Sequence, residues 1–293
     1  MRFTYHPSMC DPTFYLPLAK AVEAAGWDAL TFPDSICYPK EASSKYPYNA
    51  DGSRNFLEDV PFLEPFCAIS ACAAVTERID FSTTVVKLPI RNPVIVAKQI
   101  TTMAVMSNNR FIFGVGISPW EEDFAICGEP WAKRGKRMDD MIDIMRGLMT
   151  GNYHGSDSEF YQIPECKLCP VPSKPVPIII GGHADLALKR AARVGDGWVS
   201  AGSSLEELTT MIGRINELRK EYGTDKQPFQ FHVMTEEAYS LDGLKRLEDL
   251  GVTEVVIAFR NAYEGKPDLE TLEQKVGAIN WFSDEIIGKF NQA

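Results

Sequence analysis

Short apolar runs alternate along this chain with segments whose apolar residues recur every three or four positions. The runs are typical of buried β-strands, and the three-and-four spacing is typical of helices with one buried face. The runs predict strands over residues 2–5, 28–32, 79–86, 110–115, 177–180, 197–200, 229–234 and 254–258. The spaced segments predict helices over residues 17–25, 65–75, 138–149, 184–194, 205–222, 244–250 and 269–287, and one that begins at residues 92–93. A strand is therefore followed by a helix in each of eight repeats.

The ends of several predicted helices carry recognisable capping residues. Asn92 and Pro93 begin one helix as its cap and its first residue. Ser204 and Glu207 form a capping box at the start of a second helix, and Gly223 follows its end. The boundaries of these helices are therefore predicted from end signals as well as from apolar spacing.

Eight strand and helix repeats without a linker or a change in composition predict an α/β fold, one closed (β/α)8 TIM barrel that spans residues 1–293 as a single domain. The alternative is a two-domain doubly wound sheet, which would be expected to show a break between its halves. Two stretches exceed the length of ordinary connections and are predicted to be irregular insertions, residues 34–61 and 150–177. The first is rich in aromatic residues and is a candidate active-site lid or, alternatively, a dimer contact.

The charge balance limits the classes of partner. The chain carries 30 Lys and Arg against 40 Asp and Glu, a net charge of −10. It has no long basic run, so nucleic acid is not an expected partner, because such binding depends on neutralising phosphates. No apolar run reaches the length of a membrane span, and no signal-peptide pattern is present. We therefore expect a cytoplasmic protein without a membrane partner, whose seven cysteines are reduced thiols.

In a TIM barrel the active site is built from the loops that follow the strands. That face would carry His6, Asp34, Ser35 and residues 83–87, 114–120, 181–183, 201–203 and 235–237. Cys166 and Cys169 precede the fifth strand and so belong to the opposite face. A structural zinc would need two further ligands, which no second pair of Cys or His supplies. The sequence therefore predicts no metal site.

Two glycine pairs end strands on the predicted active face. Gly181 and Gly182 directly precede a helix, where backbone N–H groups without a nearby Cβ can approach an anion such as phosphate; a plain tight turn explains them equally well. Gly114 and Gly116 lack the third glycine of a dinucleotide fingerprint, because Pro119 occupies its position, so we interpret them as making room for a flat ring. No hydrolase, P-loop or zinc-protease motif is present.

The four histidines differ in their predicted surroundings. His6 follows the first strand, where an imidazole can serve as acid or base near neutral pH or can simply bond to a turn. His232 lies within an apolar strand and is interpreted as a hydrogen-bonded interior residue. His154 falls on the far face. His183 lies at the glycine turn, where its backbone is expected to matter more than its ring.

Three segments resemble the bacterial-luciferase-like superfamily. They are GWDALTFPDS at residues 26–35, the segment from RIDFSTTVVKLPIRNP to RFIFGVG at residues 78–116, and PIIIGGHADLALKRAARVGDGWVSAG at residues 177–202. The resemblance implies a TIM barrel with insertions and a flavin or deazaflavin cofactor. The GGH, PDS and SPW segments are most similar to actinobacterial oxidoreductases that use the deazaflavin coenzyme F420, so F420 is favoured over FMN.

The resemblance also implies which residues hold the cofactor. The bond between Thr84 and Val85 would be a non-proline cis peptide in a bulge of the third strand, which cradles the ring. Thr83 and Thr84 would bond the ring edge, and Asp34, with Ser35 beside it, would lie at the deazaflavin head. The remaining implied contacts are Gly116, Ile117 and Ser118 on the other side of the ring, and Gly181, Gly182, His183, Ala201 and Gly202 at the cofactor phosphate.

The chain departs from its sugar-phosphate-oxidising relatives at two positions. Ser35 stands where those relatives have a catalytic histidine, and Pro119 aligns near their glutamate. Glucose-6-phosphate oxidation is therefore not implied. The remaining candidate proton donors are His6, Ser35 and a tyrosine of the first insertion, which is Tyr38, Tyr46 or Tyr48.

These observations predict an F420-dependent oxidoreductase that transfers a hydride between the deazaflavin and a small organic substrate. The first alternative is a monooxygenase that uses reduced FMN. The second alternative is a non-enzymatic barrel that binds and carries a flavin or deazaflavin. The substrate is not predicted by any residue, and a homodimer is expected.

Overall fold

A computed structural model describes residues 1–46 and 52–292 of the chain. Its strands are β1 (Arg2–Tyr5), β2 (Ala29–Phe32), β3 (Asp80–Thr83), β4 (Val86–Lys87), β5 (Phe111–Gly116), β6 (His154–Asp157), β7 (Gln162–Cys166), β8 (Ile178–Gly181), β9 (Gly197–Val199), β10 (Gln230–Val233) and β11 (Glu254–Ile257). All except β6 and β7 pair in parallel, in the order β3, β2, β1, β11, β10, β9, β8, β5, and β5 pairs with β3 to close the ring. The predicted (β/α)8 barrel is confirmed, with β3 and β4 together forming its third strand.

Helices follow the barrel strands and cover their outer face. They are α1 (Tyr15–Ala24), α2 (Pro65–Ala73), α3 (Pro93–Met106), α4 (Glu121–Cys127), α5 (Arg134–Met149), α6 (Asp185–Val194), α7 (Leu205–Tyr222), α8 (Leu241–Asp249), α9 (Leu272–Phe282) and α10 (Gly288–Phe290), the last two joined by a π-helical segment, Ser283–Ile287. Asn92 caps α3, and the capping box of Ser204 and Glu207 begins α7, as predicted. The predicted start of the last helix at residue 269 is wrong, because Thr271 and Gln274 form a second capping box there.

Side chains of the strands alternate between two apolar layers. On β5, Phe111, Phe113 and Val115 pack into the large core between the sheet and the helices. Ile112, from the alternate set, packs inside the barrel with Ile179, Val199 and Val85. The inner set of β5 ends in Gly114 and Gly116, so β5 places no side chain inside the barrel beyond Ile112.

The amino end of the barrel is closed by polar side chains that satisfy one another. Glu254 is 1% exposed and accepts hydrogen bonds from Thr4 Oγ1 (2.7 Å) and Arg2 Nε (3.1 Å). The Nδ1 atom of His232 lies 3.2 Å from Glu254, and its Nε2 atom lies 2.8 Å from the side chain of Gln230. Burial lowers the pKa of His232. The interpretation of His232 as a hydrogen-bonded interior residue is confirmed.

The third barrel strand is interrupted where β3 ends and β4 begins. The bond between Thr84 and Val85 is a cis peptide, as the resemblance implied. A Cβ on Gly114 would lie 1.8 Å from the Thr83 carbonyl oxygen, and a Cβ on Gly116 would lie 2.7 Å from Val85 Cγ2. The expectation that these glycines make room for a flat ring therefore needs correction, because the chain's own third strand occupies that room.

The second predicted insertion is more regular than expected. Residues 150–177 were interpreted as irregular, but β6 and β7 pair there as an antiparallel hairpin. The alternation was missed because the residues of β6 are almost all small or polar. Cys166 and Cys169 are free thiols, and the described residues include no group of three or more His, Cys, Asp and Glu arranged for a metal ion.

The first predicted insertion lies in the connection from β2 to α2. Its described residues hold one regular element, a 3-10 turn at Asn55–Leu57. Tyr48 lies outside the described residues. None of the helices in the described ranges combines the length and the apolar character needed to cross a membrane.

We expect Gly114→Ala to lower the free energy of unfolding by about 3 kcal/mol, because the added Cβ collides with backbone that cannot move independently. Gly213→Ala is the matched control, since nothing lies within 4 Å of its Cβ position in α7 and alanine favours helices by about 1 kcal/mol. Urea unfolding of both variants measures the difference. Equal stability of the two variants would contradict this account of the third strand.

Candidate active site

The predicted site residues all lie at or just beyond the carboxyl ends of barrel strands. His6 follows β1, Asp34 and Ser35 follow β2, Thr83 to Val85 end and follow β3, Gly116 to Ser118 end and follow β5, Gly181 to His183 end and follow β8, and Ala201 and Gly202 follow β9. The parallel barrel brings these loops to one face. The structure therefore brings the predicted residues to one end of the barrel, here called the opening, although they differ in what their side chains can reach.

The two threonines of the third strand have different partners. Thr83 Oγ1 donates to the Gly114 carbonyl oxygen (2.7 Å) and accepts from the Gly114 N–H (3.0 Å), so it joins β3 to β5 inside the wall. Thr84 Oγ1 lies 3.1 Å from Thr31 Oγ1, on the next strand. Thr31 was missed by sequence reasoning, and the only signal was a hydroxyl within an apolar strand. Of the two threonines, Thr84 is the one whose hydroxyl is not committed to the sheet backbone.

Asp34 is held behind the opening by two donors. Its Oδ2 accepts from the Lys87 N–H (2.8 Å), and its Oδ1 accepts from Arg91 Nη2 (2.9 Å). The side chain is 1% exposed, so it anchors the chain that follows the bulge. Ser35 is half-buried, and its hydroxyl has no hydrogen-bond partner in the part of the chain that the structure describes. Ser35 is therefore the residue of this pair that can meet a ligand.

Lys87 and Asp123 form a buried ion pair beside the opening. Lys87 Nζ lies 2.7 Å from Asp123 Oδ2, and the two side chains are 9% and 2% exposed. Ser118 Oγ donates to the same oxygen (2.8 Å) and accepts from the Trp120 N–H (3.1 Å). Sequence analysis placed Lys87 on the active face, as part of residues 83–87, but it missed Asp123 and the pairing of the two. This pair fixes the loop after β5.

The contacts of His6 set its tautomer. Its Nδ1 accepts a hydrogen bond from the Ser8 N–H (3.0 Å), so the neutral ring carries its proton on Nε2. Burial lowers the pKa of His6 to about 4. The loop is held by Arg260, which donates to the Ser8 carbonyl oxygen (2.8 Å). Near neutral pH His6 is therefore suited to donate a hydrogen bond rather than to deliver an acidic proton.

The glycine turn after β8 is fixed by two aromatic side chains. Gly182 has φ +121°, which favours glycine, and Trp198 Nε1 donates to its carbonyl oxygen (2.8 Å). His183 Nε2 accepts from the Ala201 N–H (3.1 Å), and burial lowers the pKa of His183. The ring of His183 thus has a structural contact that its sequence position did not reveal. No side chain caps the start of α6, where Ala184 is the N-cap residue.

The described residues of the first insertion pack across the opening. Tyr46 stacks on Trp120, with ring centroids 5.3 Å apart. The backbone N–H groups of Ser43 and Ser44 donate to Glu122 (2.8 and 3.2 Å). Burial alone would raise the pKa of Glu122, but the hydrogen bonds outweigh it and lower that pKa to about 2.

The far end of this insertion reaches the other side of the opening. A Cβ on Gly265, in the loop after β11, would lie 3.8 Å from Phe56 Cβ. The insertion therefore contacts the loop after β5 and the loop after β11. Both loops belong to the active face.

When the pH falls from near 7 to near 5, the free energy of unfolding should decrease in both wild-type protein and His6→Gln. We expect the decrease to be about 2 kcal/mol larger in wild-type protein. The folded state holds His6 neutral with a pKa of about 4, whereas the unfolded chain, with a histidine pKa of 6.5, takes up a proton in this window. Protonation thus favours the unfolded state as the pH falls. Urea unfolding at both pH values tests this, and an equal loss in the two proteins would contradict it. His183 and His232 remain in the variant and account for a residual slope.

We expect Lys87→Met to destabilise the protein by about 3 kcal/mol, because it leaves the Asp123 carboxylate buried without its cation. The double variant Lys87→Met/Asp123→Leu should cost less than the sum of the two single changes. Lys133→Met is the matched control, since its pair with Glu159 is about half exposed and should change stability by less than about 1 kcal/mol. Urea unfolding of the single and double variants measures these changes. If the stability lost by the double variant equals the sum for the two single variants, Lys87 and Asp123 are not coupled.

Comparison with known proteins identifies the family. The family model described as luciferase-like monooxygenase matches residues 5–242. An uncharacterized protein of Mycobacterium tuberculosis is 50% identical over 289 residues, which cover 99% of this chain and 100% of that protein. The F420-dependent glucose-6-phosphate dehydrogenase of Amycolatopsis mediterranei is 31% identical over 144 residues, which cover 48% of this chain and 43% of the dehydrogenase.

Solved structures share the barrel at low sequence identity. The monooxygenase RslO1 from Streptomyces bottropensis has a TM-score of 0.78 and 13% identity, covering 99% of this chain and 100% of that one. The coenzyme F420-dependent tetrahydromethanopterin reductase from Methanopyrus kandleri has a TM-score of 0.75 and 15% identity, covering 99% of both chains. These likenesses bear on the fold alone. With the family model matching most of its length, the chain belongs to the luciferase-like monooxygenase family.

Proposed function

We propose that this protein is an F420-dependent oxidoreductase that transfers a hydride between the deazaflavin and a small organic substrate. The observation that carries the proposal is the platform formed by Val85, whose side chain stands against the bare backbones of Gly116 and Gly181. Val85 also packs on Ile112 and Ile179, so the platform is apolar and supported from below. An apolar platform between two glycine backbones fits the face of a flat ring.

The turn after β8 fits the phosphate of the cofactor. Gly182 leaves the turn open to close approach, and the N–H groups at the start of α6 lack a side-chain cap. Asp185 lies in the first helical turn, but Lys189 (2.6 Å) and Arg214 (3.1 Å) offset its charge. We therefore assign phosphate binding to the backbone of Gly181, Gly182 and His183, with Ala201 and Gly202 beside them.

The chain's own residues would position the substrate and protect the ring. When bound, the deazaflavin supplies hydride chemistry at its central ring carbon. Ser35 and His6 would donate hydrogen bonds to the substrate on the open side, and Thr84 would meet the ring edge. The first insertion, residues 34–61, would act as a lid that excludes water, because its described part spans two loops of the active face.

The substrate we propose is not glucose-6-phosphate. The relative from Amycolatopsis mediterranei is named for that activity, and it supports F420 as the cofactor. This chain has Ser35 and Pro119 where the sugar-phosphate-oxidising relatives carry their catalytic histidine and glutamate. A different organic substrate therefore suits this site better.

A monooxygenase that uses reduced FMN is the second candidate. The family description favours it, since that description names monooxygenases. Such an enzyme would consume oxygen when supplied with reduced FMN, whereas the proposed oxidoreductase would change the redox state of F420 without consuming oxygen. A carrier would bind a cofactor without turning over any member of a substrate panel.

We expect F420 to bind at least about tenfold more tightly than FMN in titrations that follow the fluorescence of each cofactor. Tighter binding of FMN would overturn the proposal. Gly182→Val should weaken F420 binding by a similar factor but leave the phosphate-free deazaflavin riboside unaffected, because only the phosphate meets this turn.

Gly223→Val is the control for backbone strain in the Gly182 experiment. Gly223 also has a positive φ, +71°, but it ends α7, away from the turn. Both variants should lose stability, and only Gly182→Val should lose F420 affinity. Equal losses of F420 affinity in the two variants would show that strain alone is responsible.

A further inference from the structure

Arg54, in the first insertion, is a buried cation, and none of the carboxylates that the structure describes lies beside it. The residue is 9% exposed, and its Nη2 atom donates to the Pro39 carbonyl oxygen (2.8 Å). Within residues 1–46 and 52–292, no acidic side chain lies within ion-pair distance of it. A guanidinium has five N–H donors, so four of them have no acceptor among the described residues.

Two neighbouring cations, Lys87 and Arg91, are by contrast each paired with a carboxylate. Lys87 is bound to Asp123 at 2.7 Å, and Arg91 is bound to Asp34 at 2.9 Å. A buried charge without a partner is costly, so proteins rarely keep one. Arg54 therefore differs from Lys87 and Arg91 in having no carboxylate partner among the described residues, which leaves its charge available to an incoming anion.

Aromatic rings hold the guanidinium in place without neutralising it. The Arg54 Cζ atom lies 4.9 Å from the centroid of Tyr38 and 5.6 Å from that of Trp120. Such cation–π contacts orient the planar group and leave its N–H edge free for hydrogen bonds. Tyr46, stacked on Trp120, extends the aromatic surface. The surroundings of Arg54 thus combine one fixed cation with several flat apolar faces.

The position of Arg54 links it to the proposed active site. Trp120 donates its backbone N–H to Ser118, which is bound to Asp123. Burial and the Asp123 carboxylate raise the pKa of the Cys37 thiol, while Lys87 and Arg54 act in the opposite direction. Because Arg54 lies 5.6 Å from the Trp120 ring, and Trp120 is linked through Ser118 to Asp123, Arg54 lies on the same side of the active face as the Lys87 and Asp123 pair.

We propose that Arg54 binds the carboxylate of the substrate, and that the substrate joins this carboxylate to an aromatic or otherwise flat apolar body. This inference rests on the proposed function for the location of the reaction. A carboxylate matches the planar fork of an arginine and carries the one negative charge that a single cation neutralises. A phosphate dianion would call for a second cation, and Lys87 and Arg91 are already paired.

Calorimetric titration of the cofactor-free protein with benzoate and with benzamide tests the inference. The two probes share shape, but only benzoate is charged. We expect benzoate to bind wild-type protein about tenfold or more tightly than benzamide, and Arg54→Met to abolish the difference. Arg54→Lys should retain an intermediate preference, because it keeps the charge and loses the fork.

Arg134→Met is the matched control, because Arg134 also stacks on a tryptophan. Its Cζ atom lies 3.4 Å from the centroid of Trp131, and Arg134 is the first residue of α5. It should bind benzoate like wild-type protein. Undiminished benzoate binding by Arg54→Met, or absence of saturable benzoate binding by wild-type protein, overturns the inference. Circular dichroism and thermal melting of each variant separate a lost contact from a lost fold.

Titrations with the cofactor test whether Arg54 binds the carboxylate of the substrate or the anionic tail of F420. F420 carries an anionic tail, and the phosphate-free deazaflavin riboside lacks it. Arg54→Met should leave the affinities for both unchanged. If Arg54→Met weakens only F420, the arginine serves the cofactor and the substrate assignment falls. Because the benzoate measurement uses no cofactor, failure of the F420 proposal would not be mistaken for failure of this one.

Discussion

The close approach of the Thr83 carbonyl oxygen to Gly114 is the contact on which the carboxyl half of the barrel depends. No side chain larger than hydrogen fits at residue 114, and the Thr83 hydroxyl fixes the approach by bonding both the N–H and the carbonyl group of Gly114. The third strand leaves the ladder directly afterwards and re-enters at Val86, which pairs with Val115. Val85 is thereby set against Gly116 and Gly181, and Lys87 reaches Asp123. One steric constraint thus places both the apolar platform and the ion pair beside it.

The charges at the opening are balanced locally rather than globally. The chain has a net charge of −10, which by itself would repel an anionic ligand. At the opening, however, Asp34 and Asp123 are each bound to a cation, and Asp185 at the start of α6 is bound to two. These pairs neutralise three of the carboxylates on the active face, and backbone N–H groups of Ser43 and Ser44 bond a fourth, Glu122, so the local field is less negative than the net charge suggests. An acidic protein can therefore present a site suited to anions.

The order of strands and helices could be predicted because periodicity and capping are local properties of the sequence. Asn92, Ser204 and Gly223 marked helix ends correctly, whereas Thr271 was overlooked and the last helix was placed too early. The location of the candidate site was predicted from the resemblance to the family, which implied particular loop residues as cofactor contacts. The partners Arg91 and Asp34, 57 residues apart, and Arg54 and Trp120 meet only after the barrel closes and the insertion folds over it. No local pattern encodes such contacts, so Arg91, Asp123 and Arg54 emerged only from the structure.

The contacts of the first insertion favour a lid over a dimer contact. Its described residues bond to Glu122 and pack on Trp120 on one side of the opening, and Phe56 meets Gly265 on the other. A segment that served mainly to join two copies would be expected to lie on the outer helices instead. The insertion also carries Arg54, whose buried charge lacks a carboxylate in the described part of the free protein. An anion bound to Arg54 would offset the cost of burying this charge. Because Arg54 is buried only while the insertion packs across the opening, such an anion would bind that arrangement more tightly than any other and so stabilise it.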